Sequence, residues 1–266
     1  MLRKLIKYEF RCTSRYLGVL LAVFAGFSLL YIGIAKLYLD ISENIFTLLL
    51  FILANAGYML LIYAAYYTAY FYSVYRFYKN LVTDEGYLMH TLPATPAQLV
   101  LSKLIVALTW NTAAALCTAA AIFIIGFGAA SADSVDSGSF ELTLPEGLTP
   151  AYLAVIVIIS VILLIASTAF SLLMVYYSIA LGQTKNSRRA LWSFAIYMLV
   201  NFISSLILMA AAVFVVLISA AVAAIAESPV IMVIVLLAVI TIILSAICLV
   251  LYHMTCGVFR KRLNLI

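Results

Sequence analysis

The side chains that most often carry enzyme chemistry are few in this chain and widely separated. The two histidines, His90 and His253, stand far apart, and no cluster of histidines and cysteines has the spacing of a zinc site. No glycine-rich loop ending in Lys-Ser or Lys-Thr is present, so the chain does not bind ATP through a P-loop. A catalytic or metal centre is therefore not predicted, and the chain is not expected to be an enzyme. The cysteines are interpreted as small apolar groups within or beside the membrane: Cys12, Cys117, Cys248 and Cys256.

The most informative polar and charged segment is the loop predicted over residues 76–97. Thr83 has the residue type of a helix N-cap, and Asp84 and Glu85 after it suit the positive end of a helix dipole. A proline ends that helix, and Pro96 stands at the first position of the next one. The segment is predicted to form a short helix between two longer ones. It either docks into a groove of a partner or lies as an ordinary interfacial helix.

A second group with binding potential is a stripe of tyrosines in the second apolar segment. Residues spaced by i, i+3, i+4 and i+7 share a face about 100° wide on a helix. Such a face offers rings and hydroxyl groups together to a hydrophobic ligand, or it serves helix packing and the aromatic belt at a membrane interface. The fifth apolar segment carries a matching polar face. The candidate substrate-path residues are Tyr63, Tyr66, Tyr67, Tyr70, Tyr197, Asn201 and Ser204.

The elements that position these groups follow from the composition. Of the 266 residues, 67% are hydrophobic and 9% are charged, whereas a soluble domain has about 45–50% and about 25%. A water-soluble fold could not bury so much apolar surface, which excludes a soluble enzyme, a disordered regulator and a fibrous protein. The apolar runs are continuous and do not alternate, so they predict helices and not a β-barrel. The predicted fold class is an all-α polytopic membrane protein.

Six transmembrane helices are predicted within residues 16–266, after an N-terminal amphipathic interfacial helix at residues 1–15. The fifth apolar segment is too long for a core of about 30 Å. Residues 213–226 are therefore predicted to turn back as a re-entrant helix between spans five and six. The outer loop, residues 129–150, is too short for an extracellular domain. The predicted spans are 16–38, 45–75, 98–128, 152–181, 191–213 and 230–252.

The basic residues predict the orientation. Fourteen of the fifteen lysines and arginines fall on one side of the membrane, and only Lys36 falls towards the other. The positive-inside rule places the basic side and both termini in the cytoplasm. No charged side chain or histidine lies near the middle of any predicted span, which disfavours an ion-coupled carrier and an intramembrane hydrolase but not a scaffold. The energy for the protein's activity is therefore predicted to come from a separate protein.

Four stretches around the predicted inner loop carry a resemblance to a known family: Phe77–Leu81, Asp84–Leu88, Thr91–Pro93 and the pair Ser102-Lys103. Together they resemble a motif in the small six-span permeases of ABC-2-type ABC transporters. The overall plan is also similar, with an N-terminal amphipathic helix, six spans and a re-entrant element before the last span. The resemblance implies a multi-pass protein of the bacterial cytoplasmic membrane.

The resemblance also implies a function. The chain would be the permease subunit of an ATP-driven ABC exporter of a hydrophobic or amphipathic compound, such as a peptide antibiotic, toxin or drug. It would work with a second permease copy or a diverged paralogous permease, and spans two and five would lie at their interface. The alternative is an ATP-independent membrane scaffold or a secondary carrier.

The same resemblance places the loop after span two in a cleft of a cytosolic ATPase subunit. ATP and magnesium are expected on that partner, no cofactor is expected in this chain, and no nucleic acid is expected as a partner. His90 departs from the phenylalanine or tyrosine of the family pattern. The residues that would contact the ATPase are Asp84, Glu85, Gly86, Tyr87, Leu88 and His90.

Overall fold

All elements of the described chain are α-helices, and no strand is present among the residues that the structure describes. Six of the helices are long and apolar enough to cross a membrane, which confirms the predicted fold class. The structure is a computed structural model. It describes residues 1–40, 45–83, 86, 94–134, 149–184, 188–223 and 229–261.

The helices contain 33 to 39 residues each and contain the predicted spans. At 1.5 Å per residue they are about 50 to 58 Å long, so they exceed the core of a bilayer at one end or both. Residues 76–82, predicted as part of a loop, are the last turns of the second helix. The helices are α1 (Leu2–Asp40), α2 (Ile45–Val82), α3 (Pro96–Ser134), α4 (Pro150–Gly182), α5 (Arg189–Ala223) and α6 (Pro229–Lys261).

Two details of the predicted architecture are not confirmed. Helix α1 is continuous, so the predicted interfacial segment 1–15 and the first span form one helix without a break. Helix α5 continues to Ala223 through the predicted turn near Val213, because this stretch contains no glycine or proline that would end it. The interfacial position of residues 1–15 and the re-entrant path of residues 213–226 stay predictions, and residues 224–228 lie outside the described part.

The chain divides into two compact units, and each is described by itself. One unit, named here the α1–α2 unit, comprises Lys7–Tyr72 and Thr109–Thr143. The other, named the α4–α6 unit, comprises Met1–Ile6, Ser73–Leu108 and Leu144–Ile266. Helices α1, α2 and α3 each contribute to both units.

Polar pairs join α1 to α2 within the α1–α2 unit. The Tyr31 hydroxyl donates to Asn55 Oδ1 at 2.8 Å, and the Tyr58 hydroxyl donates to Ser28 Oγ at 2.8 Å. The rings of Tyr31 and Tyr58 stack with centroids 4.3 Å apart. Because lipid offers no hydrogen-bond partners, such pairs hold helices together within a membrane.

In the α4–α6 unit, α4 packs against both α5 and α6, and α5 also packs against α6. The Ser204 hydroxyl of α5 donates to the sulfur of Met174 on α4 at 3.4 Å. The Cys248 thiol of α6 donates to the Ala166 carbonyl of α4 at 3.6 Å. The three helices therefore pack against one another, and α4 contributes to both of these polar contacts.

Candidate functional site

The last turns of α2 are fixed by buried aromatic side chains. Phe77 and Leu81 are fully buried. The Phe77 ring stacks on Tyr176 of α4, with centroids 3.7 Å apart and planes 6° apart, and meets Phe259 of α6 edge-on at 6.0 Å. Aromatic pairs of both kinds are favourable beyond the area they bury. The chain therefore leaves α2 from a position that is tied to α4 and α6.

The start of α3 is fixed as well. The Gln98 N–H donates to Thr95 Oγ1 at 3.3 Å, and the Thr95 N–H donates to Gln98 Oε1 at 3.4 Å, which is the reciprocal pattern of a capping box. Pro96 occupies the first helical position, as the sequence predicts. The Tyr252 hydroxyl of α6 donates to the Ala97 carbonyl at 3.2 Å. Both ends of the predicted coupling segment are thus held by the α4–α6 unit.

Gly86 is the predicted coupling residue that the structure describes. It is buried, and its N–H donates to the Thr83 carbonyl at 2.7 Å. A Cβ at this position would lie 2.7 Å from the backbone of Leu81, so only glycine fits without a shift. The Thr83 hydroxyl donates to the Lys79 carbonyl at 2.5 Å, at the end of α2. Its predicted role as the N-cap of a following helix stays a prediction. The other predicted coupling residues lie outside the described part: Asp84, Glu85, Tyr87, Leu88 and His90.

The pair Ser102-Lys103 lies at the start of α3, and both side chains are buried. The Ser102 hydroxyl donates to the Leu99 carbonyl at 2.8 Å. Lys103 is only 5% exposed, although a lysine near a helix end is expected to reach water. Burial of an ammonium group requires partners, so Lys103 belongs to the internal structure of this helix end. The residue type and the sequence position of Lys103 do not indicate that its side chain is buried.

The four predicted tyrosines of α2 lie on its open side. Tyr63 and Tyr67 are 61% and 51% exposed, and Tyr66 and Tyr70 are half-buried. The rings of Tyr66 and Tyr67 meet edge-on at 5.7 Å, and Tyr67 stacks on Phe71 at 6.3 Å. The predicted shared face is therefore present in the α1–α2 unit, and it offers rings and hydroxyl groups to whatever covers it.

The three predicted residues of α5 do not form one polar cluster. Tyr197 is half-buried, Asn201 is exposed, and Ser204 is buried with its hydroxyl on Met174. The difference arises because α4 covers the side of α5 that carries Ser204 and leaves Asn201 open. These residues belong to the α4–α6 unit, and the tyrosines of α2 belong to the other.

The sequence does not indicate an apolar cleft that α4, α5 and α6 form together. Its volume is about 570 Å³, which lies in the range of small-molecule sites. Tyr177 and Ser204 bring the hydroxyl groups of its lining, and the other lining side chains are apolar. In the sequence, the apolar lining residues look like any other residues of an apolar span. The cleft therefore becomes visible only when the three helices are packed together. Among them are Leu181, Ile196, Ile207, Ala246, Ile247 and Met254.

No group of three or more His, Cys, Asp or Glu side chains is placed to hold a metal ion within the described helices. The chain matches no protein-family profile, and neither curated proteins nor solved structures give a match. These comparisons therefore do not identify the permease family that the segment after span two resembles.

Proposed function

We propose that this chain is the permease subunit of an ATP-driven exporter of the ABC-2 type. In this proposal the segment between α2 and α3 receives motion from a separate cytosolic ATPase, which binds ATP and magnesium. The observation that carries the proposal is the fixed attachment of both ends of that segment. Phe77 holds one end against Tyr176, and Tyr252 holds the other through the Ala97 carbonyl.

The fixed ends are important for coupling. If the ends of the segment between α2 and α3 were mobile, a displacement of that segment by the ATPase would not be transmitted to the two helices. Helix α2 is one helix from Ile45 to Val82, and α3 is one helix from Pro96 to Ser134. A push on the segment would therefore move two long helices along their whole lengths. Discrete rearrangement of packed helices is the usual way in which a local event becomes a large one.

The compound that would be exported is hydrophobic or amphipathic. The tyrosine stripe of α2 supports this, because its exposed rings and hydroxyl groups suit a compound with both kinds of surface. A second permease copy or a diverged paralogous permease would cover that stripe and complete the path. The basic ends of the helices would face the cytoplasm of a bacterial cell, with the ATPase bound on the same side.

The proposal is tested by purifying the tagged chain from its native membrane in a gentle detergent and identifying the accompanying proteins by mass spectrometry. An ATPase subunit at about one per permease is expected, and a second permease species in the same sample would show a heteromer. The double variant Tyr87→Ala/Leu88→Ala is expected to lose most of the ATPase while the chain still accumulates in the membrane.

The matched control for that variant is Leu29→Ala/Leu30→Ala, which removes exposed apolar side chains from α1. The control is expected to retain the ATPase at the level of the unaltered chain. Recovery of the unaltered chain without an ATPase in several detergents would overturn the proposal and favour an ATP-independent scaffold.

A further inference from the structure

The first helix carries a row of basic side chains on one face. Lys4, Lys7, Arg11 and Arg15 lie within about 80° of one another around α1, because each residue of a helix advances by about 100°. All four are exposed. None of these side chains forms an ion pair or a hydrogen bond with the part of the chain that the structure describes. Glu9, the acidic residue of this stretch, lies on the opposite face and is buried.

Other basic residues of the chain already have interactions within it. Lys103 is buried, and Arg76, Lys79 and Arg189 each have an interaction inside the protein. The row on α1 therefore differs from them, because its positive charge is available to an anion from outside the chain.

The rotation of α1 is fixed by contacts on the side opposite the basic row. Thr13 is buried, and its Oγ1 accepts from the indole N–H of Trp110 on α3 at 3.0 Å. Phe10 stacks on the same indole with ring centroids 5.2 Å apart. These residues all belong to the α1–α2 unit. Because Thr13 faces α3, Arg11 and Arg15 point away from the protein.

The uncharged part of α1 indicates the depth of these arginines. Residues 16–35 contain no charged side chain, and Arg15 and Lys36 stand at the two ends of this stretch. Such a stretch of helix is about 30 Å long, which equals the thickness of the hydrocarbon core. The match places Arg15 at the boundary of the core and Arg11 about 6 Å farther out. The polar layer of a leaflet is about 5 to 8 Å deep, so both arginines lie at the level of the lipid phosphates.

Trp110 indicates the same level independently. Its indole is bonded to Thr13, which lies between Arg11 and Arg15 along α1. Tryptophan is enriched at the boundary between membrane and water, because its ring is apolar and its N–H is polar. At this level the surroundings are headgroups and not bulk water, which favours a lipid over a soluble acidic protein or a nucleic acid as the source of the anion.

From the charge, exposure and depth of these side chains we infer that Arg11 and Arg15 form a binding site for the phosphate of an anionic phospholipid. Side chains four residues apart on a helix have Cβ atoms about 6 Å apart, so two guanidinium groups can bind one phosphate from two sides. Each offers several N–H donors to the phosphate oxygens. This binding site does not depend on the proposed export function.

The site prefers an anionic lipid to a zwitterionic one. The cationic group of a zwitterionic headgroup is repelled by the arginines, whereas an anionic headgroup has no such group. Each basic residue near the headgroup contributes about fivefold in affinity. Lys7 lies about 12 Å from Arg15 along α1, beyond the polar layer, so salt screens its contribution more strongly.

Trp110 supplies a fluorescent reporter at the site. The full chain with Trp192→Phe keeps Trp110 as its one tryptophan. It is placed in phosphatidylcholine bilayers to which brominated phosphatidylglycerol or brominated phosphatidylcholine is added in rising amounts. Bromine quenches a nearby tryptophan, so the two curves give the relative affinity of the lipids at Trp110. A preference of about 25-fold for phosphatidylglycerol is expected from two arginines.

Single substitutions assign that preference to the arginines. Arg11→Gln and Arg15→Gln are each expected to lower it by about fivefold, and Lys7→Gln by less than about twofold. Lys36→Gln removes an exposed cation at the other end of the uncharged stretch. It is the matched control and is expected to leave the preference at Trp110 unchanged.

Three outcomes overturn the inference. One is equal quenching of the unaltered site by the two brominated lipids. Another is an equal loss of preference in Lys7→Gln and Arg11→Gln, which would remove the assignment to the arginine pair. The third is displacement of phosphatidylglycerol by soluble polyglutamate, which would assign this face of α1 to an acidic protein.

Discussion

Two glycines permit backbones to approach where no other residue fits. A Cβ on Gly86 would lie 2.7 Å from the backbone of Leu81, and a Cβ on Gly182 would lie 2.7 Å from Ser193 Cα. Real Cβ atoms are not found so close to backbone atoms, so alanine at either position forces a shift. Other glycines, such as Gly33 and Gly57, have open space where the Cβ would be and supply controls.

Gly86→Ala is expected to loosen the segment between α2 and α3. Relief of the overlap with Leu81 costs about 1–3 kcal/mol, which corresponds to an increase of about 5-fold to 150-fold in local opening. Hydrogen exchange of a peptide that covers residues 79–95 measures this opening. Gly33→Ala should leave the exchange of that peptide unchanged, and an equal effect of both variants would show that the contact at Gly86 is unimportant.

Phe77→Ala is expected to destabilise the protein far more than Phe71→Ala. Phe77 is fully buried and stacks on Tyr176, whereas Phe71 on the same helix is 63% exposed. Truncation of a buried phenylalanine costs about 3–5 kcal/mol through lost contacts and the cavity that remains. Thermal unfolding in one detergent compares the two variants directly. Similar Tm values would mean that the aromatic cluster does not hold the end of α2.

Each helix passes through several environments, and α2 shows this most clearly. Its middle carries the open tyrosine stripe, while its last turns are buried around Phe77 and Leu81. The end of α4 is also closely packed, because its last residue, Gly182, lies against Ser193 in the first turns of α5. The close spacing between the end of α4 and the start of α5 therefore depends on the lack of a side chain at Gly182.

Gly182→Ala is expected to push α5 away from α4 and to lower stability by about 1–3 kcal/mol. Gly57→Ala is the control, since its added methyl meets open space and alanine favours a helix by up to about 1 kcal/mol. Tm in gentle detergent should fall for the first variant and stay or rise for the second. A Tm for Gly182→Ala equal to that of the unaltered chain would contradict the close approach at Ser193.

The helices were predictable from the sequence because continuous apolar runs of this length have one structural solution in a bilayer. The ends of the helices were less predictable. Helix α2, for example, continues through aromatic and polar residues to Val82, because no residue in that stretch ends the helix. The tyrosine stripe follows from helical periodicity, but the separation of Asn201 from Ser204 depends on where α4 lies. The cleft and the Phe77 cluster join segments far apart in the chain, and a pattern within one segment cannot reveal them.

For the whole molecule, the distribution of basic residues predicts the orientation. Of the lysines and arginines, Lys36 is the exception to a bias towards one predicted side of the membrane. The positive-inside rule predicts that this basic side is the cytoplasmic one.

A topology experiment checks that orientation. In a chain without its native cysteines, Lys36→Cys is expected to react with a membrane-impermeant maleimide added outside intact cells. Arg188→Cys, an exposed position before α5, is expected to react only after the membrane is permeabilised. The reverse labelling pattern would show that the protein has the opposite orientation, and the segment proposed to bind the cytosolic ATPase would then lie outside the cell.

The contacts of Phe77 also set an order of events during synthesis of the chain. Phe77 is made early, and its partners Tyr176 and Phe259 follow about 100 and 180 residues later. At ordinary rates of translation the second interval is about 10 to 40 s. The buried contacts at the end of α2 therefore stay incomplete until the last helix has been made. If the proposed ATPase binds the segment between α2 and α3, that binding would therefore be a late step of biogenesis.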